Sequence, residues 1–395
     1  MMGGHRHVAH DRGFGLYIHW PFCRAKCPYC DFNSHVAAEV DHERFAAAFH
    51  QEMTHMAAHY GTGQPLTSLF FGGGTPSLMP PALVAGIIQT ADELFGLAAD
   101  VEITAEANPT SAEAGMFAGF AAAGVTRLSL GVQSLRDDGL AFLGREHSAD
   151  EAVAALRQAQ RHFDRLSLDL IYARKDQTME GWKTELRQAL DLGVGHMSVY
   201  QLTIEPGTVF FTRARRGETL TMEDDPAADL FLETGRIMEE AGMPAYEISN
   251  HARPGDECRH NLTYWRAGDW IGVGPGAHGR MDMEGGRRGI ATRRSPAAWL
   301  ERVEAEGHGI ETMLEDSAAD AVAEALMMGL RLAEGVNVTA LADRFGDLSG
   351  LIDMAARDRL VQDGLLMTEA GYLRVTPPGR LVLNRILAEL LAAGD

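Results

Sequence analysis

Two spacings of apolar residues alternate along the chain and predict its elements. Short runs rich in β-branched and aromatic residues predict strands, and longer stretches carry apolar residues at helical spacing, as Phe45, Phe49 and Met53 do. The predicted strands are Leu16–Trp20, Leu66–Phe71, Val101–Ala105, Arg127–Leu130, Leu166–Ile171 and His196–Leu202. The predicted helices are Asp41–His59, Pro81–Phe95, Ser111–Ala122, Asp150–His162, Glu180–Leu192 and Pro226–Ala241. Six repeats of strand then helix indicate an α/β protein with a parallel sheet, curled by right-handed crossovers into an open, partial (β/α)6 barrel.

The pattern changes at about Asp316. Helices are predicted there, followed by two short strands and a last helix, at Asp320–Ala333, Val338–Phe345, Leu348–Asp358, Leu365–Thr368, Tyr372–Val375 and Pro378–Ala392. Helices beside a small hairpin resemble a winged-helix module. The chain therefore divides into a disordered N-terminus (1–12), a partial barrel (13–250), a connecting segment (251–315) and a small helical, winged-helix-like C-terminal domain (316–395).

Composition narrows the classes of partner. The formal net charge is −20 and the pI about 5.2, so a phosphate backbone would be repelled and a nucleic-acid partner is disfavoured. No stretch of about 18 consecutive apolar residues predicts a membrane span. The first residues, Met1 to Arg12, carry three histidines and no apolar run, which is not the pattern of a secretory signal. We expect a soluble, cytoplasmic protein.

Three of the four cysteines lie within eight residues, directly after the first predicted strand. Cys23, Cys27 and Cys30 have the spacing CxxxCxxC, whereas Cys258 stands alone and is expected to be a packed residue. Three thiolates would leave one iron of a 4Fe–4S cluster without a protein ligand, which gives a small molecule a place to coordinate. The alternative is a zinc site completed by His19 or His35, although zinc sites more often show two separated CxxC pairs.

Further polar and glycine residues follow the ends of the other predicted strands. In a barrel of this kind, chemistry collects at the carboxyl ends of the strands. The positions are Gly72–Pro76, Glu106 with Asn108, Gln133, Asp169 and Tyr200, and Arg145 and His147 could meet Asp169. Any one of these residues, taken alone, is best explained by a structural role. Because they share the same place on successive strands, together they favour a common site.

The residues resemble the coproporphyrinogen-dehydrogenase-like branch of the radical S-adenosylmethionine (SAM) proteins. The matching segments are Tyr17-Ile-His-Trp-Pro-Phe-Cys23, Phe71-Gly-Gly-Gly-Thr-Pro76, Leu128-Ser-Leu-Gly-Val-Gln-Ser134 and Asp169-Leu-Ile-Tyr172, and the resemblance continues to Gly379. It implies a 4Fe–4S cluster and SAM as cofactors. By resemblance, the residues that contact cluster-bound SAM are Tyr17, Tyr29, Gly73 and Glu106, and those that match a second SAM position are Gly74, Thr75, Gln133, Arg145 and Asp169.

Two departures from that branch stand out. The dehydrogenase has a further cysteine two residues after the third cluster cysteine, where this chain has Phe32, which puts porphyrinogen decarboxylation in doubt. The chain also has Ala173-Arg-Lys-Asp176 where the branch usually has a Gly-Leu-Pro turn. These departures favour a non-enzymatic function, with SAM cleavage as the alternative left open.

Within the branch, the segment His260-Asn-x-x-Tyr264-Trp265 resembles that of heme chaperones, which implies heme as cargo and a hemoprotein as recipient. An imidazole beside an apolar wall is a common heme site, with His278 as a second candidate ligand. The alternative is a histidine hydrogen-bonded in a packed aromatic corner. Three functions stay open. In the first, the protein is a heme chaperone, which would dock transiently on recipients that include membrane-bound ones. Alternatively, it is a radical SAM enzyme that acts on a porphyrin, or a cluster-bearing interaction protein that binds no porphyrin.

Overall fold

The computed structural model describes residues 12–37, 39–284, 286–348 and 350–391. The predicted disordered N-terminus, apart from Arg12, lies outside these ranges. In the part of the chain described, no helix combines the length and the apolar character needed to cross a bilayer.

The strands before the C-terminal part contain the predicted parallel set and extend it. They are β1 Phe14–Trp20, β2 Phe22–Cys23, β3 His35–Val36, β4 Leu66–Gly73, β5 Leu97–Ala107, β6 Arg127–Gln133, β7 Arg165–Tyr172, β8 His196–Gln201, β9 Asn250–Ala252, β10 Asp269–Val273, β11 His278–Met283, β12 Gly286–Thr292 and β13 Ile310–Glu315. Among the described residues, eleven of them form one sheet in the order β13-β12-β11-β10-β1-β4-β5-β6-β7-β8-β9. From β10 to β8 neighbouring strands are parallel, and outside this set they are antiparallel. The α/β architecture with a parallel, barrel-type sheet is confirmed.

Helices alternate with these strands. They are α1 His42–Tyr60, α2 Pro81–Phe95, α3 Ser111–Ala114, α4 Phe117–Ala122, α5 Asp137–Phe142, α6 Ala149–Ala159, α7 Met179–Leu190, α8 Val209–Arg215, α9 Asp224–Glu240, α10 Arg259–Trp265 and α11 Pro296–Glu306. The helix predicted to begin at Asp150 begins earlier, because Ser148 and Glu151 form a capping box that satisfies the first free amides. Most of these strands and helices bury one apolar core that runs from Phe14 to Ile310, and a smaller apolar cluster lies around Phe210 of α8.

The segment from 251 to 315, predicted to be a connection, contributes β10 to β13 to the main sheet. β10 lies parallel to β1, with Tyr17 opposite Gly272, so the parallel set has one more strand than the six predicted. β10 was missed because it is short and interrupted by Gly272, which gives too few positions for a period-two pattern to show.

The C-terminal part has its own small core. It contains α12 Ala318–Gly329, β14 Val336–Asn337, α13 Val338–Phe345, α14 Met354–Gln362, β15 Leu366–Glu369, β16 Tyr372–Val375, α15 Pro377–Arg380 and α16 Leu383–Leu390. The strands pair in the order β14-β16-β15, and a separate apolar cluster joins residues from Val322 to Leu390 with Ala267. The helix predicted at Leu348–Asp358 is displaced, because the side chain of Asp353 accepts from the amide of Ala356 and starts α14 there.

Candidate cluster and cofactor site

The cysteine loop leaves the carboxyl end of β1 and folds back on its own first residues. β2, which contains Cys23, pairs in parallel with β3, and the amide of His35 donates to the carbonyl of Pro21 at 2.7 Å. Within the loop the amide of Cys30 donates to the carbonyl of Cys27 at 3.1 Å. All three predicted cluster cysteines are free and half-buried at this end of the barrel, which we call the mouth.

Each of the three sulfur atoms has a polar partner from a different part of the chain. The pairs are Thr75 Oγ1 to Cys23 Sγ at 3.3 Å, Arg145 Nη1 to Cys27 Sγ at 3.2 Å, and Ser34 Oγ with Cys30 Sγ at 3.9 Å. Burial raises the pKa of Cys23 and of Cys30, and the hydrogen bonds oppose this effect. Donors aimed at sulfur favour the thiolate, the form that ligates iron. The three thiols therefore fit a 4Fe–4S cluster.

Asn108 joins two of these donors, which is a contact the sequence did not single out. Its Nδ2 donates to Thr75 Oγ1 at 3.2 Å, and its Oδ1 accepts from Arg145 Nη2. A continuous chain of hydrogen bonds thus runs from Cys23 to Cys27 across the ends of β4 and β5. The sequence placed Asn108 among the polar residues that follow the strand ends, but its contacts with Thr75 and Arg145 depend on the fold.

The aromatic residue of the cysteine loop, Tyr29, anchors it to the next layer. Its ring centroid lies 6.4 Å from that of Phe210, and the amide of Phe210 donates to Pro28 O at 2.8 Å. Burial raises the pKa of Tyr29, and the nearby guanidinium of Arg145 opposes the rise. Tyr29 is therefore a neutral side chain that packs beside Arg145 and the cluster loop.

The glycines at the end of β4 are required by close packing at the mouth. Gly73 has φ +111°, and a Cβ there would lie 2.7 Å from Cε1 of His19. A Cβ on Gly74 would lie 2.7 Å from the carbonyl oxygen of Phe22 in the cysteine loop. No side chain fits between β4, β1 and the loop, so backbone alone faces the place where the cofactor is predicted.

Glu106 and Tyr17 stand behind this glycine backbone. Glu106 accepts a hydrogen bond from the amide of Gly73, yet burial, and then the charge of Asp169, raise its pKa to about 8. Burial and Glu106 raise the pKa of Tyr17, whose hydroxyl lies 3.2 Å from Nδ1 of His19. At neutral pH Glu106 is largely protonated, and a bound amino group would favour its carboxylate.

Asp169 lies on the other side of the mouth, and its hydrogen-bond partners among the described residues do not include Arg145 or His147, which were expected to meet it. Asp169 accepts from Ser129 Oγ at 3.3 Å and from Ser167 on its own strand. His147 Nε2 instead lies 3.1 Å from Val132 O. A third serine, Ser198, lies opposite Asp169 on β8 and also donates to it, so three serines already satisfy the carboxylate.

Arg145 and Gln133 meet each other at Gly131. Arg145 Nη2 donates to the carbonyl of Gly131 at 3.0 Å. The side-chain nitrogen of Gln133 lies 2.8 Å from the position a Cβ on Gly131 would take. The structure thus groups these two predicted SAM contacts beside Cys27 and leaves Asp169 one strand further round.

The histidines of the zinc alternative are already engaged. His19 Nε2 lies 2.9 Å from Asn33 O and its Nδ1 faces Tyr17, while His35 Nε2 lies 3.3 Å from Asn33 Oδ1. Burial lowers the pKa of His19 to about 4. Asn33 also donates to Pro275 O at 2.9 Å, so these contacts tie the cysteine loop to the turn after β10.

The segment predicted for heme lies toward the amino ends of the strands, which we call the floor, and it contacts the mouth through Tyr17, whose ring lies 6.2 Å from that of His260. α10 packs there with His260 only 1% exposed. His260 Nδ1 lies 2.8 Å from Ser68 Oγ, its Nε2 faces the hydroxyl of Tyr264, and its ring stacks on Phe70 at 5.0 Å. Burial lowers its pKa to about 3. These contacts are those of the packed-corner alternative, because both ring nitrogens already have partners.

The other members of that segment also face protein. The ring of Tyr264 packs edge-on against Trp270 at 4.5 Å. The guanidinium of Arg331 lies 4.8 Å from the ring centroid of Trp265. The apolar wall expected for a macrocycle is therefore covered by β10 and by the C-terminal part of the chain.

His278, the second candidate, is placed differently. It is exposed at the first position of β11, directly after the turn that Asn33 holds. Burial on one side and the charges of Arg280 and Arg294 lower its pKa, which keeps the imidazole neutral at pH 7. Of the two heme candidates, His278 is thus the accessible one and His260 the buried one.

Family models match both parts of the chain. The model described as "Radical SAM superfamily" matches residues 17–189, which hold the cysteine loop and most of the mouth. The "HemN C-terminal domain" model matches residues 316–382. The fold and site thus define a radical SAM protein.

Curated relatives cover almost the whole chain. The heme chaperone HemW of Escherichia coli is 38% identical over 95% of this chain and 98% of its own length. Radical S-adenosyl methionine domain-containing protein 1 of Bos taurus, a mitochondrial protein, is 38% identical over 95% of this chain and 87% of its own. The chain belongs to this HemW family within the radical SAM superfamily, and membership implies a 4Fe–4S cluster and SAM as cofactors.

A solved structure supports the fold. Coproporphyrinogen III oxidase HemN from Escherichia coli superposes with a TM-score of 0.79 over 95% of this chain and 89% of that chain, at 23% identity. This likeness confirms the radical SAM fold with its C-terminal domain.

Proposed function

We propose that this protein is a heme chaperone that binds heme, passes it to a hemoprotein and carries a SAM-liganded 4Fe–4S cluster. The observation that carries the proposal is the 38% identity with the heme chaperone HemW over 98% of that protein's length. A likeness of that extent includes the mouth, the floor and the C-terminal part together.

The mouth supplies the residues that would hold the cluster and SAM. Cys23, Cys27 and Cys30 would ligate three irons, and Gly73 with Glu106 would receive the amino acid part of SAM. When bound, the cluster can deliver one electron to the sulfonium of SAM. Thr75 and Arg145 stabilise the thiolates by hydrogen bonds, with Tyr17, Tyr29, Gly74, Gln133 and Asp169 as the further predicted contacts.

For the heme iron, the exposed His278 has better support than His260. An axial ligand needs an imidazole nitrogen free of other partners. His260 would have to give up Ser68 or Tyr264 and leave a buried polar group unpaired, which costs about 1–3 kcal/mol. His278 is neutral and open to solvent near the cysteine loop, so it can bind iron without that loss.

The second candidate function, conversion of a porphyrin, has one observation against it. Where the dehydrogenase has an additional cysteine, Phe32 is 58% exposed, and a phenyl ring can neither donate a proton nor ligate iron. The likeness to HemN supports the fold alone. A cluster-bearing protein without porphyrin is the third candidate, and failure to bind heme would favour it.

The recipient is a hemoprotein, and a cytoplasmic location with transient docking on membrane-bound recipients is part of this proposal. The acidic net charge of −20 disfavours nucleic acid as a partner.

Anaerobic reconstitution followed by three parallel assays tests the proposal. We expect stoichiometric heme binding, a change in the spectrum of the reduced cluster on adding SAM, and no consumption of coproporphyrinogen. Decarboxylation of coproporphyrinogen at catalytic rates would overturn the chaperone assignment in favour of the enzyme.

A further inference from the structure

The turn that departs from the family pattern has an unusual backbone. Ala173 and Asp176 have φ +58° and +63°, although neither is glycine. Non-glycine residues in this region cost about 1–3 kcal/mol and persist only where neighbours enforce them. Here the backbone is held on both sides, since Lys175 N donates to Leu220 O and Met222 N donates to Ala173 O, each at 3.0 Å.

The turn sends the side chain of Arg174 back into the protein. Arg174 Nη2 lies 3.0 Å from Glu185 Oε2 on α7, and the two side chains are 7% and 1% exposed. Its Nη1 donates to the carbonyl of Ile171 at the end of β7. A buried carboxylate is costly without a partner of opposite charge, so Arg174 is what allows Glu185 to lie inside.

The other oxygen of Glu185 holds the backbone at the end of β6. Glu185 Oε1 accepts from the hydroxyl of Ser134 and from the amide of Leu135, the latter at 2.9 Å. These are the two residues that directly follow Gln133. One carboxylate thus connects Arg174, after β7, with the turn that ends β6.

Gln133 itself is in a strained conformation. Its φ is +69°, and the pairing of β6 with β7 shifts register just before it. The left-handed turn brings its side-chain amide beside Gly131, where Arg145 also arrives. If the backbone relaxed to an ordinary strand conformation, the next side chain would move to the other face of the sheet.

We propose that Arg174 is a positioning residue of the SAM site, which acts through its buried ion pair with Glu185 to hold Gln133 in the left-handed conformation that faces the mouth. This inference rests on the proposed SAM site. The proposal also gives a physical role to the turn that departs from the Gly-Leu-Pro pattern of the family. In this turn Arg174 supplies the positive charge that the buried Glu185 needs.

The test uses the full chain with its cluster reconstituted anaerobically, and compares wild type with Arg174→Met and Arg174→Lys. SAM affinity is measured from the electron paramagnetic resonance spectrum of the reduced cluster. If Arg174→Met leaves the binding conformation about one tenth populated, the Kd for SAM rises about tenfold. Iron and sulfide content stay unchanged, because the cysteine loop has other supports. Arg174→Lys, which keeps the charge but not both hydrogen bonds, gives an intermediate Kd.

Arg165→Met is the matched control, since Arg165 pairs with the buried Glu102 at 2.6 Å on the floor. It should lower the melting temperature as Arg174→Met does while its Kd for SAM stays within about twofold of wild type. Arg174 variants with a full cluster and wild-type SAM affinity would overturn the inference, leaving only a structural ion pair. A wild type that holds its cluster and ignores SAM would contradict the proposed SAM site as well.

Discussion

The same residue types occur at both ends of the barrel, but their hydrogen-bonding groups are satisfied by the protein at the floor and left available at the mouth. At the floor, Glu102 accepts from Arg165 and from the amides of Arg259 and His260. At the mouth, Glu106, four residues further along β5, has the amide of Gly73 as its favourable hydrogen bond and a raised pKa. One carboxylate is satisfied by the protein, and the other is left with capacity for a ligand.

The histidines and cysteines show the same difference. His260 and Cys258 are buried at the floor with partners inside the protein, whereas His278 is exposed and the cluster cysteines are half-buried on the other side of the barrel. Residue type and motif therefore do not identify a site by themselves. Among the carboxylates and histidines, the residue on the mouth side is the one whose capacity the protein leaves unused, and the cluster cysteines are distinguished from Cys258 by their partial exposure.

The largest expected effect separates the two kinds of cysteine. Cys27→Ala should abolish the cluster, because two remaining thiolates cannot hold it in the open loop. Cys258→Ala, the control, should retain full iron and sulfide and change only stability, since its sulfur lies 3.5 Å from Glu102 in the core. Iron, sulfide and visible absorbance measured after anaerobic reconstitution decide this, and equal loss in both variants would erase the distinction.

The paired carboxylates of β5 give the next effect. Glu102→Gln should lower the free energy of unfolding by about 3–5 kcal/mol, because it leaves the charge of Arg165 without its buried partner, and should leave SAM affinity unchanged. Denaturant unfolding of the reconstituted protein measures the first quantity. Glu106→Gln is the counterpart: it should lose SAM affinity with little change in stability. If Glu102→Gln lost SAM affinity and Glu106→Gln lost stability instead, the assignment of stability to the floor and of SAM binding to the mouth would be wrong.

The raised pKa of Glu106 predicts a pH dependence. Its carboxylate is the form that accepts the amino group of SAM, so affinity should rise with pH, by up to about tenfold per unit, and level off near pH 8. In the protein without SAM, the raised pKa of Glu106 has the opposite consequence for the free energy of unfolding. The contribution of Glu106 to stability is fully present below its ordinary pKa of 4.5 and is lost as the pH rises through about 8. SAM titrations between these limits check the slope, which should vanish in Glu106→Gln.

The smallest expected effect concerns Asn108. Asn108→Ala removes the link between Thr75 and Arg145, each of which donates to a cluster sulfur, so the cluster should assemble but decay faster in air and shift in reduction potential. Gln160→Ala, which removes a side-chain amide bonded to Leu192 O far from the cysteine loop, is the control. Identical decay rates in wild type and both variants would show that the chain of hydrogen bonds has no influence on the cluster.

Much of this could be read from sequence, and the failures have physical causes. Strands from β4 to β8 and the cysteine loop were predicted, because period-two runs and tight cysteine spacing are local signals. The role of Arg174 was not, since it depends on α7 and the end of β6 meeting in space. The surroundings of His260 could not be read from its motif, because a sequence does not show that Ser68 and Tyr264 face both ring nitrogens.

One heme titration tests the central claim, that the mouth side carries function and the floor carries stability. Heme is added to anaerobically reconstituted wild type, His278→Ala and His260→Ala, and both the Soret spectrum and the melting temperature are recorded. We expect His278→Ala to weaken heme binding and shift the Soret band at unchanged stability, and His260→Ala to lose about 1–3 kcal/mol of stability with the spectrum of bound heme unchanged. A shifted Soret band in His260→Ala, with His278→Ala like wild type, would contradict the account.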